Sequence, residues 1–329
     1  MKAALEAWLL RRWYGGVAPG PGLRLLELVY RGLRRLHALP WWLGLRKPRR
    51  AGAPVLVVGN LVAGGAGKTP LVIALATELA HRGFTPGIVS RGHGRRGSDD
   101  LDVRRDTPPE VCGDEPLLIA RQTGLRVRVA RDRAAAAAAL VAAGCDLVIA
   151  DDGLQHRPLH RDLEIEVLDG ERRHGNGRLI PAGPLREPAG RAVDFRVVNG
   201  GQAGAGEWAM QLVPGDARPL AGGAPRPLGA FAPGPVHAVA GIGNPARFFA
   251  TLGAAGLQVH GHAFPDHHAF RRAELAFSPP LPLLMTSKDA VKCTGLGLPD
   301  AWEVPVRAEL PAAFFDAVAD RLRPRKPTP

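Results

Sequence analysis

The stretch Val55–Gly83, VLVVGNLVAGGAGKTPLVIALATELAHRG, decides the fold. It opens with an apolar run of strand length, passes through a glycine-rich turn and continues with helical apolar spacing that stops at Gly83. A general phosphate-binding loop reads Gly, four free residues, then Gly-Lys-Ser/Thr. Gly67, Lys68 and Thr69 fit, but Val62 stands where the first glycine belongs. A turn between a buried strand and a helix start aims several backbone N–H groups at one point, and the helix dipole makes that point an anion site. Gly64, Gly65, Ala66, Gly67, Lys68, Thr69 and Pro70 are therefore the expected nucleotide-binding set. Lys68 would reach the β- and γ-phosphates, the Thr69 hydroxyl would ligate Mg²⁺, and Pro70 suits a first helical turn.

Outward from this stretch, apolar strands alternate with helical segments. TPGIVSRG, RVRVA, CDLVIADD, EIEVLD and FRVVNG read as strands, with DEPLLIARQTG and RDRAAAAAALVAAG as helices between them. Continuous Val/Ile/Leu runs separated by helices predict an α/β fold: a P-loop NTPase-like, mostly parallel sheet covered on both faces. The expected organisation is a basic, Trp/Leu-rich segment at 1–52, a kinase-like core at 53–200 and a Gly/Pro-rich linker at 201–235. A smaller α/β domain at 236–329 completes it. The linker holds one expected strand, EWAMQLVP.

A phosphate loop also needs a carboxylate for its metal at the end of a neighbouring strand. Asp151 and Asp152 supply it, since adjacent acids after a buried run call for a cation or a basic partner.

The chain has 329 residues and a net charge of +12. Residues 1–52 alone carry eleven Lys/Arg against two acids, so most of the excess lies in the first sixth of the chain. Such a block suits nucleic acid or an anionic membrane surface. Its arginines are interleaved with Leu and with Trp8, Trp13, Trp41 and Trp42, and aromatics are scarce elsewhere, which argues against nucleic acid. No run reaches the roughly 18–20 apolar residues that span a bilayer, and no signal-peptide pattern is present. Leu25, Leu26, Leu28, Val29, Leu33 and Leu36 share one broad helical face, from which the arginines lie mainly apart. The segment is expected either to lie in a membrane interface or to pack its leucines on the body. Cys112, Cys145 and Cys293 have no spacing typical of zinc or redox sites.

Several stretches, in order, resemble the tetraacyldisaccharide 4′-kinases of lipid A biosynthesis: GNLVAGGAGKTP, SRGHGRRG, GDEPLLIA, DDGLQHRPLHRDLEIEVLD and GNGRLIPAGPLREP. GIGNPARFFATL, FPDHHAF and TSKDAVKC continue the match. That family's loop also lacks the first glycine. The resemblance implies transfer of the γ-phosphate of ATP, with Mg²⁺, to the 4′-hydroxyl of an acylated glucosamine disaccharide 1-phosphate. It implies a peripheral or monotopic enzyme at the cytoplasmic face of the bacterial inner membrane.

By position, it implies Asp114 of GDEP as general base, although the same residue by itself reads as a helix cap. His267 is implied as the partner of that base, with adjacent His268 an open alternative. Asp151 and Asp152 would lie near metal and phosphates, and Glu187 at metal or acceptor. Arg186 and Arg91 would meet anionic phosphate, Arg91 being equally readable as a solvated loop residue. The chain departs from the family at His93, commonly Tyr, and at Ser287, usually Glu, while Lys288, Asp289 and Lys292 remain. The rivals are another P-loop NTPase or an ATP-dependent ligase of a small metabolite.

Overall fold

The protein is described by a computed structural model over residues 2–323. Residues 324–329, assigned above to the smaller domain, lie outside the described residues. Helices α1 (Lys2–Tyr14) and α2 (Pro21–Trp42) come first, then β1 (Val55–Gly59), α3 (Lys68–His81), β2 (Pro86–Ser90) and β3 (Leu101–Val103). Next are α4 (Pro109–Cys112), α5 (Asp114–Thr123), β4 (Arg126–Val129), α6 (Arg133–Ala142) and β5 (Leu147–Asp151). Then follow β6 (Leu163–Asp169), β7 (Phe195–Asn199), β8 (Glu207–Pro214) and the two-residue β9 (Arg218–Pro219). The chain ends with β10 (Pro235–Ala240), α7 (Pro245–Ala254), β11 (Gln258–Ala263), β12 (Leu283–Thr286), α8 (Ser287–Cys293), β13 (Ala301–Val304), β14 (Val306–Glu309) and α9 (Ala312–Leu322).

The large sheet runs β14-β8-β7-β6-β1-β5-β2-β4-β3. From β8 to β4 every pairing is parallel; the edge strands β14 and β3 are antiparallel. β1 lies between β5 and β6 because each of its residues is apolar enough to be covered on both faces. Leu56 and Val58 face one core with Leu71, Leu75, Leu117 and Phe314. Val55 and Val57 face the other with Leu61, Ala137, Leu140 and Leu185. Burying each such side chain stabilises by roughly 1.5–3 kcal/mol before entropy is counted.

The smaller sheet runs β11-β10-β12-β13-β9. Its bounds differ from those expected. The strand of the supposed linker, β8, pairs with β7 in the large sheet, and β14 returns there after Pro305 to pair with β8. Phe314, Phe315, Val318 and Leu322 of α9 then pack in the core of the large sheet. Pattern reading missed this because β13 and β14, AWEV and VRAE, run on as one strand-like text broken only by Pro305. The chain crosses between the sheets twice, side by side, and Gly215 N donates to Pro305 O at 2.9 Å.

Helix α2 is turned with its apolar face outward. Glu27 is buried on the body, accepting from Arg31 (3.0 Å), Arg178 (3.2 Å) and Leu179 N (3.3 Å), and Tyr30 Oη donates to Arg186 O. Leu25, Leu28, Leu33 and Leu36 meanwhile leave 60–65% of their surface exposed. Among the described residues no helix is long and apolar enough to cross a membrane.

Candidate active site

The candidate residues gather at the carboxyl ends of the parallel strands, where open α/β sheets place their ligands. Asn60 follows β1, Arg91 follows β2, Asp151 closes β5 and Asn199 closes β7.

The loop after β1 explains the missing glycine. Val62 is buried and forms an antiparallel bridge with Leu185, while Ala63 N donates to Pro184 O and Arg186 N to Leu61 O. The first limb of the loop is thus extended and paired to PAGPLREP, a conformation any residue adopts. Positive φ occurs only later, at Gly64 (116°) and Gly67 (92°). A side chain at Gly67 would also come within 2.4 Å of Asn199 Nδ2, which donates to Ala66 O.

Lys68 opens α3, donates to Asn60 Oδ1 at 3.2 Å and stands 3.6 Å from Asp152. Asn60, itself fully buried, donates to Gly64 O. Asp152 sits at φ 48° and meets Arg186 at 3.3 Å. Burial opposes its charge, but Lys68 and Arg186 outweigh burial and hold its carboxyl below the usual range. Asp151 is the reverse case: burial, then the charges of Glu115 and Asp152, push its carboxyl upward. Its Oδ2 accepts from Ser90, whereas Oδ1 is buried with no donor among the described residues. Arg133 of α6 fixes this turn, donating to the carbonyls of Asp151 and Asp152 at 3.1 and 3.0 Å.

These donors fit a hard divalent cation. Two carboxylates beside a P-loop threonine are the usual protein share of a Mg²⁺ site, the remaining positions going to phosphate and water. The unpartnered Asp151 oxygen is the kind of group such an ion would satisfy. Thr69 is half-buried in the first turn of α3. Among the described residues no cluster of three or more His, Cys, Asp or Glu forms a metal cage made of protein alone.

Asp114 is the first residue of α5 rather than its cap, which is Gly113 at φ 94°. Its carboxylate accepts from Glu115 N at 3.0 Å and faces the smaller unit. There His267 Nδ1 lies 3.1 and 3.2 Å from its two oxygens, with the ring nitrogen as donor because an ionised carboxylate only accepts. His268 is engaged by Glu274 instead. Lys288 completes the group, 2.9 Å from Glu115, 3.0 Å from Asp266 and 4.0 Å from Asp114. Burial works against the Asp114 charge, yet the hydrogen bond from His267 and the Lys288 charge bring its pKa below the ordinary value. The Asp114 hydrogen bond in turn raises His267, against the opposing effect of burial. The ring of His93 lies 4.8 Å from that of His267.

Arg91 is exposed, near enough to Arg133 to depress the latter's pKa behind the larger effect of burial. Glu187 is drawn to Arg191, and among the described residues it makes no hydrogen bond or ion pair with Lys68, Asp151 or Asp152. Asn60, Ser90, Arg133, Asn199 and Lys288 were not singled out as site residues from sequence. Asn60 was the most accessible of them, as a polar residue closing a buried strand. Arg133 was hidden by the plain alanine run that follows it.

The tetraacyldisaccharide-1-P 4′-kinase family model matches residues 21–323. A tetraacyldisaccharide 4′-kinase of Stenotrophomonas maltophilia is 53% identical, over 96% of this chain and 96% of its own. One from Xylella fastidiosa is 52% identical over 94% and 95%. The crystal structure of LpxK from Aquifex aeolicus in complex with ATP superposes with a TM-score of 0.73 at 26% identity, covering 91% of this chain and 98% of that one.

Proposed function

The chain belongs to the tetraacyldisaccharide-1-P 4′-kinase family, and from that premise we propose how its residues transfer phosphate from ATP to the 4′-hydroxyl of an acylated glucosamine disaccharide 1-phosphate. The observation that carries the reading is the Asp114–His267 pair at the start of α5, where the next residue, Glu115, is near enough to Asp151 to raise its carboxyl, together with a phosphate-loop lysine 3.6 Å from Asp152.

The loop amides and the start of α3 bind the phosphates of ATP, and Lys68 offsets charge at the β- and γ-oxygens. Thr69, Asp151 and Asp152 would hold Mg²⁺, which supplies charge neutralisation across the β- and γ-phosphates. Asp114 takes the proton from the sugar hydroxyl as that oxygen attacks the γ-phosphate in line, and the bond from the γ-phosphorus to the bridging oxygen breaks to release ADP. His267 orients the Asp114 carboxylate and keeps it ionised. Because Asp114 starts α5 of the core and His267 lies in the loop after β11 of the smaller unit, the pair needs the two units held against each other, an arrangement that also excludes water. Arg186 holds Asp152 in place, and Arg91 stands open to an anionic group.

The outward leucines of α2 suit a membrane interface and not packing on the body, since they stay exposed while Glu27 and Tyr30 make that helix's contacts with the body. This supports attachment to the cytoplasmic leaflet of the inner membrane, where a lipid with several acyl chains stays. The test is transfer of labelled γ-phosphate from ATP to a lipid A disaccharide 1-phosphate. Lys68→Ala and Asp114→Ala are expected to slow it by at least about a hundredfold, and full turnover by the Asp114 variant would overturn the base assignment.

A further inference from the structure

A cavity of about 690 Å³ lies between the second half of α2 and the β5–β6 connection, away from the phosphate loop. That volume is within the roughly 300–1,000 Å³ of small-molecule sites. Leu154 and Leu159 form an apolar wall, with Trp41 and Arg34 contributed by α2, and Arg157 and His160 by the connection.

The charges here are unequal in a way that matters. The two acids lining the cavity are already used: Glu164 pairs with Arg161 (2.8 Å) and Arg191, and Glu187 with Arg191. Arg34 and Arg157 have no carboxylate partner among the described residues, and Arg34 Nε is buried without an acceptor. A buried donor left unsatisfied costs about 1–3 kcal/mol and more when charged, so a concave site holding two free guanidinium groups favours an anion. Guanidinium forks match phosphate oxygens in pairs. The same helix turns Leu33 and Leu36 to the outside, and Trp42 beside Trp41 is 87% exposed. The anion site therefore sits directly behind an apolar face, which is where a lipid headgroup would be if its chains lay along that face.

We propose that this cavity binds the phosphate of a membrane lipid, with Arg34 and Arg157 as its ligands and Trp41 against the headgroup. The inference rests on the interfacial reading of α2. Bulk anionic phospholipid and the acceptor lipid offer the same chemistry, and two measurements separate them.

The first is flotation of the full chain with phosphatidylglycerol and with phosphatidylcholine vesicles. It compares wild type, Arg34→Gln/Arg157→Gln, and a control of equal charge loss, Arg24→Gln/Arg35→Gln, on the exposed side of α2. The second is the KM for the acceptor in neutral detergent micelles. The cavity double variant should weaken phosphatidylglycerol binding about tenfold beyond the control if bulk lipid occupies the site. It should raise the acceptor KM by a similar factor if the acceptor's own phosphate does. Arg34→Lys/Arg157→Lys, which keeps charge but loses the fork, should fall between and serves if the Gln variant does not fold. A cavity variant equal to the control in both measurements would overturn the proposal. Wild type that floats with neither vesicle would instead overturn the interfacial reading beneath it.

Discussion

Val62 shows how a pattern can fail while its physics holds. The loop needs freedom at Gly64 and Gly67, where φ is positive, and not at Val62, which is paired with Leu185. Val62→Gly would restore the general motif and is expected to destabilise the protein by about 1–3 kcal/mol, by emptying a buried site and loosening the limb. ATP affinity should stay near its starting value; denaturant melts and a nucleotide titration check both. At the proposed base, Asp114→Ala should lower kcat by about 10²–10⁴-fold. His267→Ala removes the hydrogen bond that lowers Asp114, so the acid limb of the pH–rate profile should move upward. The phosphate loop and the paired acids were legible because each is contiguous in sequence. The choice of His267 over His268 was not, because it depends on which ring the fold brings to Asp114 across a sequence separation of 153.

Among the elements, strand and helix existence in the core followed from apolar period, and β1, α3, β2, α5, β5 and β7 all stand where the runs lie. What periodicity could not carry was membership: β8 and β14 are identical in kind to strands of either sheet, and pairing alone assigns them. The turn from β10 into α7 is a second case. Gly243 lies so close to the phosphate loop that a Cβ there would come within 2.7 Å of Gly65 N. Both atoms are backbone-bound and cannot swing away, so Gly243→Ala should hold the smaller unit off the loop. We expect kcat/KM for ATP to fall about tenfold or more, since small misplacements are costly in transfer reactions. Deleting residues 2–45 should abolish vesicle flotation while leaving the buried strands intact, readable by circular dichroism.

For the whole molecule, the Asp114–His267 contact ties the two units together and would give the proposed closure a pH dependence. Asp114 has its folded pKa lowered, so its contribution is complete above about pH 4 and fades as pH falls through the lowered value. His267 has its folded pKa raised, so its contribution is complete below about pH 6.5 and fades as pH rises through the raised value. Closure should therefore be tightest between about pH 4 and 6.5 and loosen on the alkaline side. Hydrogen exchange of the 266–268 loop, faster at high pH after correction for intrinsic rates, would show it.

The return of β14 and α9 to the large sheet also bears on how the chain is made. A ribosome releases β8 long before β14, with the whole smaller unit emerging between them. Until the final stretch leaves the exit tunnel, β8 is an open sheet edge, and the surface awaiting Phe314 and Val318 is bare. The nascent kinase core is thus obliged to wait, and a message cut short after Val304 would yield a sticky intermediate in place of a shorter enzyme.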